Sequence, residues 1–90
     1  MPYLKQENKS VWILILFSIE KMFIKIGEKL VAGTLNYLFT KIAHLYIKVK
    51  GENYQNYNDI IGALEGAKLE LYRRKIVPYE NKKIKSNGDV

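Results

Sequence analysis

Cysteine is absent from the chain, which excludes disulfides, thiolate zinc sites and cysteine nucleophiles and fits a cytoplasmic protein. A single histidine, His44, is too few for a multi-histidine metal centre within one chain. A glycine-rich phosphate loop and an activated-serine motif are also missing. Long apolar runs are missing as well. Val11–Phe17 is seven residues, whereas a membrane span needs about 18 or more, and Glu20, Lys21 and Lys25 follow closely. No small-residue cleavage site follows that run, so a signal peptide is not expected. Catalytic residues, metal ligands and cofactors are therefore not assigned. His44, alone on a helix, is expected to be a surface or capping residue.

What is present is helical periodicity and an uneven positive charge. Ninety residues make one domain near the size at which a core is barely self-sufficient, so oligomerisation is a sensible source of further burial. The polar start, with Pro2, is expected to be extended, and Asn8 or Ser10 can cap the helix that follows. Trp12, Ile15 or Leu16, Ile19, Phe23, Ile26 and Leu30 then recur at helical spacing, predicting a helix over about 10–30. Ile13, Leu14 and Phe17 make its first turns apolar nearly all round, which demands cover on most sides. A second subunit is one source of that cover.

Gly33 is expected to end this helix and Thr34 to cap the next. Over 34–50, Leu35, Leu38, Ile42, Leu45 and Val49 alternate strictly by three and four, the strongest periodic signal in the chain. Gly51 is placed to stop that helix, with Lys48 and Lys50 at the negative end of its dipole. Tyr37, Lys41, His44 and Lys48 form a polar stripe, read either as a solvent face or as part of an anion site. Tyr54 and Tyr57, in the connector, suit packing across helix ends.

A third helix is expected over 58–75, with Asn58 as N-cap and Asp59 on the positive end of the dipole. Ile60, Ala63, Leu64, Ala67 and Leu71 form its apolar stripe. Gly62 and Gly66, with Ala63 and Ala67, offer a small-residue face for close packing within the chain or against a second subunit. Pro78 forces Val77 out of helical geometry, which predicts an extended tail over 76–90 with a turn at Asn87-Gly88.

Charge gathers at this end. Residues 68–85 hold seven basic side chains against Glu70 and Glu80, or +5 of the chain's +6. Such asymmetry suggests an anionic partner, although a solvated face is the plainer explanation. Arg73, Arg74, Lys82 and Lys83 suit phosphate, Tyr72 and Tyr79 suit stacking on a base, and Asn87 and Asp89 are placed to close the site. For Arg73 and Arg74 the alternative is capping plus ion pairs to Glu70, worth about 0.2–0.5 kcal/mol each.

The stretch N-D-I-I-G-A-L-E-G-A-K-L-E-L-Y-R-R-K-I-V-P-Y-E-N-K-K-I-K-S-N-G-D-V, Asn58 to Val90, resembles a signature of small uncharacterised proteins from phages, prophages and other prokaryotic genomes. Leu35–Thr40 and Met1–Tyr3 resemble two earlier elements of the same family, whereas residues 8–33 do not obviously match. The resemblance implies no activity.

The expectation is thus an all-α protein, a small three-helix bundle with an extended C-terminal tail, homo-oligomeric through its first helix or its Gly62/Gly66 face. By analogy with phage-encoded sponges, its expected function is to sequester a small anionic ligand such as a signalling nucleotide without chemistry. Nonspecific nucleic-acid binding and inhibition of a host protein are the alternatives.

Overall fold

The computed structural model describes residues 4–89; the expectations placed on Met1–Tyr3 and Val90 lie outside them. All regular structure among the described residues is helical. The chain divides into two units, one reaching Leu45 and the other beginning at Tyr46. No helix among the described residues is long and apolar enough to cross a membrane.

In the first unit, α1 (Gln6–Lys9) and a 3₁₀ turn at Ser10–Trp12 lead into α2 (Ile13–Ile26). Helical structure therefore begins before residue 10, and neither expected cap serves α2. Asn8 lies within α1, and the Ser10 hydroxyl donates back to the Glu7 carbonyl at 2.9 Å. The break also moves, from Gly33 to Gly27, whose φ of 58° and ψ of −123° favour a residue without Cβ. A 3₁₀ turn at Gly27–Lys29 follows, Leu30 is extended, and α3 (Ala32–Lys50) carries Gly33 and Thr34 in its first turn. The α2 stripe Ile19, Phe23 and Ile26 meets Thr34 and Leu38 of α3 across an open groove of about 340 Å³.

The end of α3 falls where expected. Gly51, at φ 104°, donates its N–H to the Ile47 carbonyl at 2.7 Å. The next helix, α4 (Tyr54–Leu71), starts a turn before Asn58, because Asn53 caps it instead. Asn53 is extended and its Oδ1 accepts from the Asn56 N–H at 2.8 Å. Asp59 is held by Gln55 at 2.8 Å and by the Tyr46 hydroxyl of α3 at 3.3 Å. Tyr54 is 88% exposed and staples nothing. Tyr57 does secure the junction, its hydroxyl donating to Glu52 at 2.8 Å. That bond to a carboxylate, aided by partial desolvation and the nearby charge, raises the Tyr57 pKa above the ordinary tyrosine value. The stabilisation it gives is complete below the ordinary value and is lost as pH rises through the raised one.

The expected extended tail is helical. A π-helical stretch, Tyr72–Ile76, joins α4 to α5 (Val77–Asn87), and the Val77 N–H donates to the Tyr72 carbonyl, five residues back. Pro78 has no N–H and its ring crowds the preceding turn; the wider π turn makes room, and Pro78 occupies the start of α5. Gly88, at φ 85°, ends it.

The expected bundle core does not form. Among the described residues no apolar side chain is buried, and Asn56 is the buried polar one at 6% exposure. The α3 stripe is the sharpest departure: Ile42 is 58% exposed, Leu45 57% and Val49 83%. The chain leaves 8511 Å² accessible. A compact monomer of its 10.5 kDa would leave about 5400 Å², and two separately compact halves about 6500 Å² together.

The small-residue face of α4 is also open at Gly62, where an added Cβ would meet nothing within 4 Å. Gly62→Ala is therefore expected to raise stability by about 0.5–1 kcal/mol through helix propensity alone. A thermal melt followed by circular dichroism checks this, and a lowered midpoint would mean that another chain packs there.

Candidate ligand-binding site

The cationic residues are presented on one limb, the end of α4, the π stretch and α5. Arg73 and Arg74 are consecutive, yet both reach the same carboxylate. Arg73 Nη2 lies 2.8 Å from Glu70 Oε1, and Arg74 Nε 2.7 Å from Glu70 Oε2. Their i,i+3 and i,i+4 offsets follow from one α-helical turn. Both guanidinium side chains are about two-thirds exposed while Glu70 is 27% exposed, so the trio presents one net positive charge to solvent. The ion pairs weighed as the plainer reading of these arginines are therefore formed. Another pair, Lys68 to Glu65 at 2.9 Å, lies one turn earlier.

Beyond the π stretch the spacing selects a different set. Tyr79, Lys83 and Asn87 recur every fourth residue and so share a stripe of α5. The Lys83 ammonium stands 5.5 Å from the centre of the Tyr79 ring, a cation–π distance. Lys83, Asn87 and Asp89 line an open cleft of about 320 Å³ together with Glu80, Ile84 and Gly88. That volume is at the lower end for a small-molecule site. Its lining holds two carboxylates against one ammonium, so it suits hydroxyl or amino donors better than a bare phosphate. Lys82 sits one position off this stripe, its carbonyl accepting from the Ser86 hydroxyl at 3.0 Å.

Eight residues were expected to form one site: Tyr72, Arg73, Arg74, Tyr79, Lys82, Lys83, Asn87 and Asp89. The structure gathers them as two groups, the arginines on Glu70 and the Tyr79, Lys83, Asn87, Asp89 set around the cleft. Arg74 and Lys83 are nine residues apart, about 13 Å along a helix axis. Tyr72 is half-exposed and opens the π stretch. Glu80 was missed as a lining residue because its position was expected to be extended. On α3, Lys41 stands 5.7 Å from the Tyr37 ring centre, and His44 is exposed. No cluster of three metal-ligating side chains occurs among the described residues.

Compared with known proteins, the whole chain, residues 1–90, matches the model of a family described as a domain of unknown function, DUF6899. The match bears out the resemblance to an uncharacterised family and extends it across residues 8–33, where the signature gave no match. No curated protein and no solved structure matches.

Proposed function

We propose that this chain, which belongs to the DUF6899 family, is a non-enzymatic protein that sequesters a small anionic ligand. The observation that carries the reading is the α5 stripe. A lysine over a tyrosine ring, beside an amide and a carboxylate on one open cleft, offers charge, a stacking face and polar partners together. Those are the parts that hold a nucleotide without transforming it. Lys82 and Lys83 take phosphate, Tyr79 takes the base, and Asn87 and Asp89 accept from sugar hydroxyls or a base amino group. Arg73 and Arg74 engage a second phosphate by exchanging Glu70 for it, with Tyr72 beside them. A signalling nucleotide with more than one phosphate fits this division. The setting that follows is a homo-oligomeric phage anti-defence protein acting in the host cytoplasm.

The test is native mass spectrometry of the protein purified from cells, before and after denaturation, followed by calorimetric titration with the ligand released. Binding is expected to be saturable and stoichiometric, and Arg73→Ala or Arg74→Ala is expected to abolish it while the helical circular dichroism persists. Unchanged binding in both variants would overturn the reading. The same cations are also exposed along a helix with no enclosing wall, which favours nonspecific nucleic-acid binding as the second reading. That alternative predicts affinity that grows with strand length and falls steeply with salt.

A further inference from the structure

The geometry points to α3 as the place where two copies of this chain meet, in parallel, along Leu35, Leu38, Ile42, Leu45 and Val49. This deepens the homo-oligomeric part of the proposed function and rests on it, but is independent of the anion site. Three observations carry it.

The first is area. The excess of 8511 Å² over a compact chain of this mass, or over two compact halves, is about 2000–3000 Å². Obligate homodimers bury about 2000–5000 Å² counted over both partners, or about 1000–2500 Å² from each. A transient contact is too small to cover such an excess, whereas a second copy brings an equal and similar surface. In the same unit as the start of α3, the uncharged run Val11–Phe17 is more than half exposed at every position and adds to the area available.

The second is pattern. The alternation of three and four along α3 is that of the a and d positions of a heptad, with Leu35, Ile42 and Val49 at a and Leu38 and Leu45 at d. β-Branched residues at a with leucine at d favour two parallel strands. Two of the three a positions and both d positions meet that preference. Within the chain this seam has little to pack against, since Ile42, Leu45 and Val49 are all more than half exposed.

The third is charge. The flanking g positions are Lys41 and Lys48, and the e positions are Phe39 and Tyr46. Antiparallel pairing sets g against g, which would bring lysine against lysine. Parallel pairing sets g against e, bringing Lys41 to the ring of Tyr46 in the second copy. Tyr46 has its hydroxyl engaged by Asp59, and its ring is 36% exposed. A chain carrying +6 can thus associate along an uncharged seam without opposing its own lysines.

Because the native chain has no cysteine, a single introduced thiol reports contact between copies only. Leu35→Cys and Val49→Cys, each in the full chain without added ligand, are oxidised mildly and run on a non-reducing gel beside sedimentation equilibrium of the parent protein. The expected result is a dimer or an even multiple of it, with both variants forming a covalent dimer. Leu45→Glu is expected to weaken association by about 100-fold or more, since it places an unpaired charge in the seam. Tyr37→Glu, on an exposed position outside the seam, leaves association unchanged and guards against a general loss of folding. A monomer throughout the concentration range, or an oligomer in which neither cysteine cross-links, overturns the inference. A different protein or a lipid surface as the natural cover leaves the purified chain monomeric and so gives the first of those results. Dimerisation with both cross-links but no nucleotide binding sinks the ligand reading alone.

Discussion

Asn56→Ala is expected to destabilise the protein by about 1–3 kcal/mol, the cost of leaving buried carbonyls without a donor. The Asn56 side-chain amide donates to the carbonyls of Lys50 at 3.3 Å and Gly51 at 2.9 Å. Its backbone N–H meanwhile donates to the capping oxygen of Asn53. One residue therefore closes the end of α3 and participates in the start of α4, and it does so while buried. Alanine keeps the backbone bond and loses both amide bonds. At about 4–8 °C per kcal/mol for a domain of this size, the melting midpoint should fall by about 5–20 °C. Asn58→Ala, two positions further along α4 and exposed, is the comparison. If Asn53 is the cap, Asn58→Ala should change stability by less than about 0.5 kcal/mol. Equal losses in the two variants would contradict the assignment of the junction.

Lys83→Glu is expected to weaken binding of the sequestered nucleotide by about 10- to 100-fold, corresponding to loss of a charge-assisted hydrogen bond. It removes the ammonium above Tyr79 and sets a third carboxylate beside Glu80 and Asp89. Lys48→Glu makes the same change of charge on α3, and under the site-specific reading it leaves affinity nearly intact. Calorimetric titration at two salt concentrations separates the readings. Similar losses in both variants, together with a steep salt dependence, point to a diffuse attraction for polyanions.

Much of the helical layout was legible from local chemistry. Gly51 stops α3 as expected because a positive φ there favours glycine and the preceding periodicity is clean. The N-cap of α4 was misplaced because Asn53 and Asn58 are equally good caps in isolation. The choice depends on the carbonyls of Lys50 and Gly51, which lie in space beside Asn56 but five or six residues away in the chain. Gly27 and Gly33 posed the same ambiguity, decided by which glycine takes the positive φ. The apolar stripe of α3 was legible as a stripe, but periodicity identifies a face without identifying what covers it.

The candidate site divides along similar lines. The Arg73, Arg74 and Glu70 arrangement follows directly from three-and-four spacing and was foreseen as ion pairing. The alignment of Tyr79, Lys83 and Asn87 was hidden because Pro78 was taken to end helical structure. Proline at the first turn of a helix is tolerated, and a wide turn immediately before it allowed one helix to lead into another.

That wide turn amounts to a phase slip. A π turn accommodates an extra residue, and each residue of an α-helix advances the face by about 100°. Residues of α5 consequently occupy angular positions that an uninterrupted count from α4 would assign to their neighbours. Helical wheels drawn straight through Tyr72–Ile76 put the wrong side chains together, and a stripe that looks continuous in the sequence is broken in space. The useful unit for comparing relatives is therefore two wheels with separate origins. An insertion or deletion of one residue in this stretch alters the direction in which the cationic limb faces, even when every charged residue is retained.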